Sequence, residues 1–258
     1  MTAMAARAKR LLKSVAEEAF GVYVSRTPPQ APGKHADAAI RELRRWSSRD
    51  VVFDVGANDG RTILRLSGQL GHPRILAFEP VSSTYGTLLE RTAHLPNVRA
   101  FQLALGAASG THEIYLNDID AMNSLSPGWT AAPKGTEIVR VKTVDEVMAE
   151  QGIDFIHLLK VDTEGFDLEV LKGADEALRA SRVAIVQVEV GVEQLPKEFP
   201  SLEDVRRHLE ARRYFLYGIY NQCRTRARPP EGWPEDELAG YSAEVLAYCD
   251  ALFIRAHL

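Results

Sequence analysis

Residues 51–66, VVFDVGANDGRTILRL, contain the pattern that decides the fold. A β-branched apolar run ends at Asp54 and Gly56, which is typical of a buried parallel strand, and helical spacing follows the glycines. Strand and helix patterns alternate along the rest of the chain, and residues 165–180, GFDLEVLKGADEALRA, are predicted as one helix. Further core strands are predicted at residues 74–80, 97–105, 154–162, 182–190, 214–220 and 244–256. The alternation predicts an α/β fold with a mostly parallel sheet, helices on both faces and an antiparallel last strand.

The composition is that of an ordinary globular protein, with 258 residues of which 26% are charged and 45% hydrophobic. The formal net charge of −4 offers no basic excess to neutralise phosphates, so we expect no nucleic-acid partner. No apolar run approaches the ~20 residues of a transmembrane segment, and none has signal-peptide form. Cys223 and Cys249 lack metal or redox spacing. We predict a cytoplasmic protein.

The chain divides into an N-terminal arm and one large domain. Residues 1–35 are predicted to form a helical arm that ends in the Pro/Gly-rich linker RTPPQAPGKH, and residues 36–258 form the domain. The arm has an apolar face opposite a basic one. It would pack on its own domain or on a second subunit of a homo-oligomer, or alternatively lie on a membrane surface.

The turn after the first strand predicts a nucleoside site without a phosphate. Gly56 and Gly60 allow close backbone approach around Asn58, but the spacing is not that of a pyrophosphate-binding loop. Asp54 and Asp59 would repel a phosphate but could hold a cationic or amine-bearing ligand. Glu79 ends the second strand, where an acidic residue accepts hydrogen bonds from ribose hydroxyls. S-adenosylmethionine fits this pattern, whereas the glycine segment alone would also fit an ordinary turn.

A family resemblance covers residues 50–190. The segments VVFDVGANDGRTILRL, ILAFEP, FQLALGAASG, NSL, VKTVDEVM, IHLLKVDTEGFDLEVLKGA and AIVQVEV occur in the order seen in FkbM-type methyltransferases. The resemblance implies a Rossmann-like class I methyltransferase fold, S-adenosylmethionine as methyl donor, and O-methylation of a sugar, glycan or secondary-metabolite hydroxyl. Phe166 and Asp167 depart from the Ala-Glu that many relatives carry there. Residues 191–258, which carry little of this signal, would help to select the acceptor.

The resemblance assigns catalysis to the segment KVDTEG. Asp162 would end the fourth core strand beside the donor's methyl group, and Glu164 would lie further out, toward the acceptor. A carboxylate there can accept the hydroxyl proton, which typically accelerates transfer by about 10²–10⁴-fold. Lys160 shares a face with Asp162 by strand alternation, and could pair with it or with Glu189. The alternative is a solvated loop at a helix N-terminus.

A metal site and an acceptor loop are further predictions. Asp162, Glu164 and Glu189 could together bind Mg²⁺ through oxygen ligands, although nothing in the sequence requires a metal. In this fold Leu105 would lie near the adenine. Three further groups would contact the acceptor or its surroundings, and the alternative for each is an ordinary solvated part of the protein surface. They are Asn123 and Ser124, Trp129, and the three arginines Arg224, Arg226 and Arg228.

Three other functions are compatible with parts of this pattern. The first is transfer of the methyl group to nitrogen or to a carboxylate. An amine acceptor usually requires an aromatic or Asn-Pro-Pro-type strand end, and KVDTEG occupies that place here, which disfavours an amine. The second is a nicotinamide dehydrogenase, which the missing GxGxxG disfavours. The third is a non-catalytic nucleoside-binding protein, against which the acidic strand ends argue.

Overall fold

The computed structural model describes residues 36–117, 123–126, 133–192, 200–226 and 244–256, with the backbone alone at 224–226 and 244–247. The helices are α1 Ala36–Leu43, α2 Arg61–Gln69, α3 Ser82–Thr92, α4 Val144–Glu150, α5 Asp167–Lys172, α6 Asp175–Arg179 and α7 Leu202–Glu210. The strands are β1 Val51–Val55, β2 Arg74–Phe78, β3 Val98–Phe101, β4 Ala104–Leu105, β5 Gly110–Leu116, β6 Gly135–Lys142, β7 Ile156–Val161, β8 Val183–Gly191, β9 Tyr214–Arg226 and β10 Glu244–Arg255.

The main sheet has the strand order β3-β2-β1-β7-β8-β10-β9. The first five strands in this order, β3, β2, β1, β7 and β8, are parallel to one another. β10 runs antiparallel to both β8 and β9. Successive side chains of β1 point to opposite faces, so Phe53 packs with α4–α7 while Val52 packs with α1–α3. The predicted class I methyltransferase architecture, with its antiparallel last strand and helices on both faces, is confirmed.

Two elements differ from the sequence prediction. The segment 97–105, predicted as one strand, divides into β3 in the main sheet and β4 in a separate three-stranded sheet of order β4-β6-β5. The segment 165–180, predicted as one helix, divides into α5 and α6 near Gly173. A Cβ atom on Gly173 would lie 2.0 Å from the carbonyl oxygen of Gly106, so this close backbone contact requires glycine. At the break, the Gly173 carbonyl accepts from the Asp145 N–H, and the Asp145 carboxylate accepts from the N–H groups that begin α6.

His157 lies at the end of the sheet opposite the predicted site. Its Nδ1 accepts a hydrogen bond of 2.9 Å from the backbone N–H of Val51, and its Nε2 lies 3.1 Å from Asp50. Burial lowers the pKa of His157, and the carboxylate of Asp50 opposes that shift. The ring is therefore a structural link between the starts of β1 and β7.

Several sequence predictions concern segments outside the described residues. They are the arm of residues 1–35, Trp129, Arg228 and the side chains of Arg224 and Arg226. In the described part of the chain, no helix is both long enough and apolar enough to cross a membrane.

Candidate active site

A cavity of about 500 Å³ opens at the carboxyl ends of β1, β2 and β7. Its wall includes residues 55–59 at the end of β1 and after it, residues 78–80 at the end of β2, one side of α3, and Lys160 with residues 162–164 at the end of β7. In open α/β sheets, ligands bind beyond these strand ends. The cavity therefore occupies the position where the sequence predicts a ligand.

The turn after β1 is pressed against the end of β7. Gly56 has φ +78, and a Cβ atom there would lie 1.8 Å from the carbonyl oxygen of Asp162. The backbone N–H of Gly56 donates to the carbonyl of Phe78 over 3.1 Å, which ties the turn to β2 as well. Gly60, with φ +82, instead faces α3, where a Cβ atom would lie 2.9 Å from the side chain of Leu88, and is not part of the cavity wall.

Glu79 is nearly buried in the cavity wall and holds the glycine turn. Its Oε2 accepts a hydrogen bond of 3.1 Å from the backbone N–H of Asn58, and its Oε1 accepts one of 2.9 Å from Val81. Asn58 has φ +48, a left-handed conformation that asparagine tolerates. Glu79 lines the cavity, and a carboxylate there is an acceptor for hydroxyl groups of a ligand.

Lys160 lies between two carboxylates on one face of the sheet. Asp54, opposite Lys160 in the β1–β7 register, is fully buried, and its Oδ1 lies 3.3 Å from the ammonium. The Oδ2 of Asp162 lies 3.0 Å from the same ammonium. Burial raises the pKa of Asp54, and the positive charge of Lys160 opposes that shift. Burial also disfavours the charged form of Lys160, but the negative charges of Asp162 and Asp54 raise its pKa above the usual range. The sequence left Asp162 and Glu189 open as partners of Lys160; the structure pairs it with Asp162, and also with Asp54, which the sequence missed.

The loop that carries Glu164 is fixed by two side chains. Glu164 has φ +52, an uncommon conformation for a residue with a long side chain. The hydroxyl of Ser124 donates to the Glu164 carbonyl over 2.5 Å. The fully buried carboxylate of Asp167 accepts hydrogen bonds of 3.2 Å from the N–H groups of both Thr163 and Gly165. The strained backbone is thus held from both sides, which fixes the position of the Glu164 Cα atom.

Carboxyl groups gather at the ends of β7 and β8. Oxygen atoms of Asp162, Glu164 and Glu189 all lie within 4.8 Å of one another, and Asp250 of β10 is opposite Glu189 in register. Burial, followed by repulsion from Asp162, raises the pKa of Glu164 to about 8, of Asp167 to about 7 and of Glu189 to about 10. The folded protein without a bound cation therefore disfavours full ionisation of this group.

The chain matches the model of the methyltransferase FkbM domain over residues 54–216, more than half of its length. The chain belongs to the FkbM family of methyltransferases. It is 29% identical over 154 residues to the hexuronic acid methyltransferase AglP of Haloferax volcanii, covering 59% of this chain and 61% of that protein. It is also similar to methyltransferase sdnD of Sordaria araneosa, at 31% over 166 residues (52% and 64%), and to the 31-O-demethyl-FK506 methyltransferase FkbM of Streptomyces tacrolimicus, at 31% over 159 residues (50% and 60%).

The chain spans about three fifths of the length of these curated relatives. The FkbM-domain match includes the glycine turn, Glu79 and the carboxylates of β7 and β8. It therefore covers the whole of the cavity wall.

The remaining predicted site residues of this FkbM-family protein take different positions. Leu105 and Asn123 contribute to the cavity wall, and Oδ1 of Asn123 accepts a hydrogen bond of 2.7 Å from the Asn117 N–H. Ser124 is buried and acts on the Glu164 loop instead of facing the cavity. The sequence also suggested Asp59 as a partner for a cationic ligand. Its carboxylate pairs instead with Arg91, and with Arg61 at 3.1 Å.

The raised pKa values predict that the metal-free protein loses stability as the pH rises. Glu164 and Glu189 hold their protons to about pH 8 and about pH 10 in the folded state but titrate near 4.5 when unfolded. Their contribution to stability is complete below pH 4.5 and is lost as the pH rises toward the pKa values of the folded state. The free energy of unfolding therefore falls as the pH rises from about 5 to 8, and the two neighbouring carboxyls titrate as a pair.

Urea unfolding at several pH values, in the presence of EDTA, measures this slope. Glu189→Gln removes one titrating group, so we expect a flatter profile and a variant more stable than the wild type at pH 8. The matched control Glu169→Gln alters an exposed carboxylate of α5 and should reproduce the wild-type slope. Identical slopes for all three proteins would show that Glu189 is ionised in the folded state.

Proposed function

We propose that this protein is an S-adenosylmethionine-dependent O-methyltransferase that acts on a hydroxyl of a sugar, glycan or secondary metabolite. The observation that carries the proposal is the position of Glu79, which lines the cavity while holding the glycine turn. The hydroxyl groups of a ribose bound there would donate hydrogen bonds to this carboxylate. The relatives named for hexuronic acid and 31-O-demethyl-FK506 support a hydroxylated acceptor.

The donor would occupy the half of the cavity between the β1 turn and Glu79. Its ribose would contact Glu79, and its adenine would lie beside Leu105, which is buried in the cavity wall. The ammonium and sulfonium groups carry positive charge, which the carboxylates near β1 and β7 favour. Gly56 allows the donor to approach the backbone because it has no side chain where the β1 turn meets the end of β7.

The acceptor would meet the donor at the end of β7. Asp162 carries a carboxylate that is 39% exposed and paired with the ammonium of Lys160. It would accept the hydroxyl proton as the methyl group leaves sulfur for oxygen. Glu164 would orient the hydroxyl, since its loop is fixed by Ser124 and Asp167. Alignment of oxygen, carbon and sulfur would supply much of the remaining acceleration.

Isothermal titration calorimetry with S-adenosylmethionine and S-adenosylhomocysteine tests the donor assignment. Glu79→Gln replaces an acceptor oxygen by an amide NH₂, so each lost hydrogen bond to the charged group should cost about 1.5–3 kcal/mol. We expect the Kd to rise at least ~10-fold. The control Glu90→Gln changes an exposed residue of α3 and should bind as the wild type does.

Two results would contradict the donor assignment. The first is an absence of binding by the wild type at millimolar ligand, and the second is an equal Kd for Glu79→Gln and Glu90→Gln. Thermal unfolding of both variants would establish that the titrations are performed on folded protein. The acceptor, the cytoplasmic location and a homo-oligomeric state stay predictions from the sequence.

A further inference from the structure

The carboxylates at the ends of β7 and β8 have little cationic compensation. Lys160 pairs with Asp54 and Asp162. Among the residues that the structure describes, no lysine or arginine forms an ion pair with Glu164 or Glu189. Carboxylates in such a group repel one another unless protons or a bound cation neutralise them.

The spacing of the oxygen atoms suits one divalent cation. Oxygens that share an ion lie no further apart than twice the metal–oxygen distance, which is about 4.2 Å for Mg²⁺ and about 4.6–5.2 Å for Ca²⁺. The oxygens of Asp162, Glu164 and Glu189 lie within 4.8 Å of one another. The three oxygens are close enough together for side-chain rotation to bring them onto one divalent ion, with a smaller movement for Ca²⁺ than for Mg²⁺ or Mn²⁺. Lys160 contacts Oδ2 of Asp162, which leaves Oδ1 for an ion.

Gln187 supplies an independent sign of a ligand at this place. It is 3% exposed, shares its face of β8 with Glu189 by strand alternation, and has an Oε1 atom with no hydrogen-bond partner in the described part of the chain. Its register partner on β10 is Leu252, yet its amide interacts with Asp250, which is opposite Glu189. The side chain therefore leans toward the carboxyl end of β8, where Glu189 and Asp250 lie side by side. Its free amide oxygen is a ligand type that hard cations, or the waters they hold, prefer.

We propose that Asp162, Glu164 and Glu189 bind one divalent cation of the Mg²⁺ or Ca²⁺ class, with the Gln187 amide oxygen beside it. Asp162 and Glu164 belong to the cavity wall, so the remaining coordination positions of the ion would face the acceptor side of the cavity. The ion would there hold oxygen atoms of the acceptor and make a bound hydroxyl more acidic. This role in the reaction rests on the proposed function, whereas binding of the ion does not.

Manganese titration followed by electron paramagnetic resonance tests the site without an activity assay. Protein stripped with EDTA and exchanged into chelator-free buffer at pH 8 receives Mn²⁺, and Mg²⁺ or Ca²⁺ is then added as competitor. We expect one site per chain, release of Mn²⁺ by the competitor, and a Kd raised at least ~10-fold in Glu189→Gln. Glu169→Gln, which alters an exposed carboxylate paired with Lys172, should bind as the wild type does.

Two outcomes would overturn the proposal. One is an absence of Mn²⁺ binding by the wild type up to millimolar concentration, which would mean that protons neutralise the cluster. The other is equal affinity in Glu189→Gln and Glu169→Gln, which would place the ion elsewhere. Calorimetry of S-adenosylhomocysteine binding to the stripped protein separates this result from the proposed function. If the protein binds S-adenosylhomocysteine but no Mn²⁺, only the cation proposal is rejected. If it binds Mn²⁺ but no S-adenosylhomocysteine, only the donor assignment is rejected.

Discussion

Replacement of Asp162 by asparagine lowers the rate of methyl transfer by about 10²–10⁴-fold, because the amide has the shape of the carboxylate but cannot accept the hydroxyl proton. The backbone of residue 162, which donates to the Val55 carbonyl over 3.0 Å and abuts Gly56, is unchanged by the substitution. The donor Kd should therefore change by no more than a few-fold. The initial rate of S-adenosylhomocysteine formation, with the first acceptor found in a screen of sugars and hydroxylated metabolites, measures the effect.

The matched control is Asp154→Asn, which changes an exposed aspartate at the opposite end of β7. Its rate should equal that of the wild type. If Asp162→Asn also retained a rate within about fivefold of the wild type, Asp162 would not be the proton acceptor. Transfer would then depend mainly on the positioning of the two substrates.

Replacement of Lys160 by methionine destabilises the protein by about 3–5 kcal/mol, because it removes one partner of a buried ion pair and leaves the other charge uncompensated. Asp54 is fully buried, Lys160 is 4% exposed, and neither oxygen of Asp54 has a hydrogen-bond partner among the described residues. Methionine nearly preserves the length of the side chain, so the expected decrease in stability comes from the lost positive charge. Urea unfolding at pH 7 gives the difference in the free energy of unfolding.

Two further variants isolate the cause of that loss. Asp54→Asn combined with Lys160→Met removes both charges, and we expect the double variant to be more stable than Lys160→Met alone. Lys172→Met breaks an exposed ion pair with Glu169 and should cost less than about 1 kcal/mol. Equal losses in Lys160→Met and Lys172→Met would mean that the Asp54 charge is compensated by another group.

The sequence predicted the parts of the fold that depend on local pattern. The apolar run of β1, its glycine turn and the acid at the end of β2 are each visible within a few residues, and together they predicted the nucleoside pocket. Strand alternation also predicted that Lys160 faces Asp162. The contact between Lys160 and Asp54 depends on the register of β1 with β7, which are more than 100 residues apart in sequence.

The residues that sequence reasoning missed depend on long-range pairing or burial. Asp250 becomes part of the site only because β10 inserts antiparallel beside β8 and brings it opposite Glu189. Gln187 has an ordinary position in an apolar strand until its burial is known. Asp167 was visible in EGFDLEVL, two residues after a glycine at a helix start, but its role in holding the Glu164 loop required the backbone geometry.

A crystal structure of the protein with S-adenosylhomocysteine tests the central claim most directly. The account predicts that the ribose hydroxyls lie within hydrogen-bond distance of the Glu79 carboxylate, with the sulfur directed toward Asp162 and the adenine beside Leu105. A nucleoside bound outside this cavity, or one whose ribose does not contact Glu79, would contradict it.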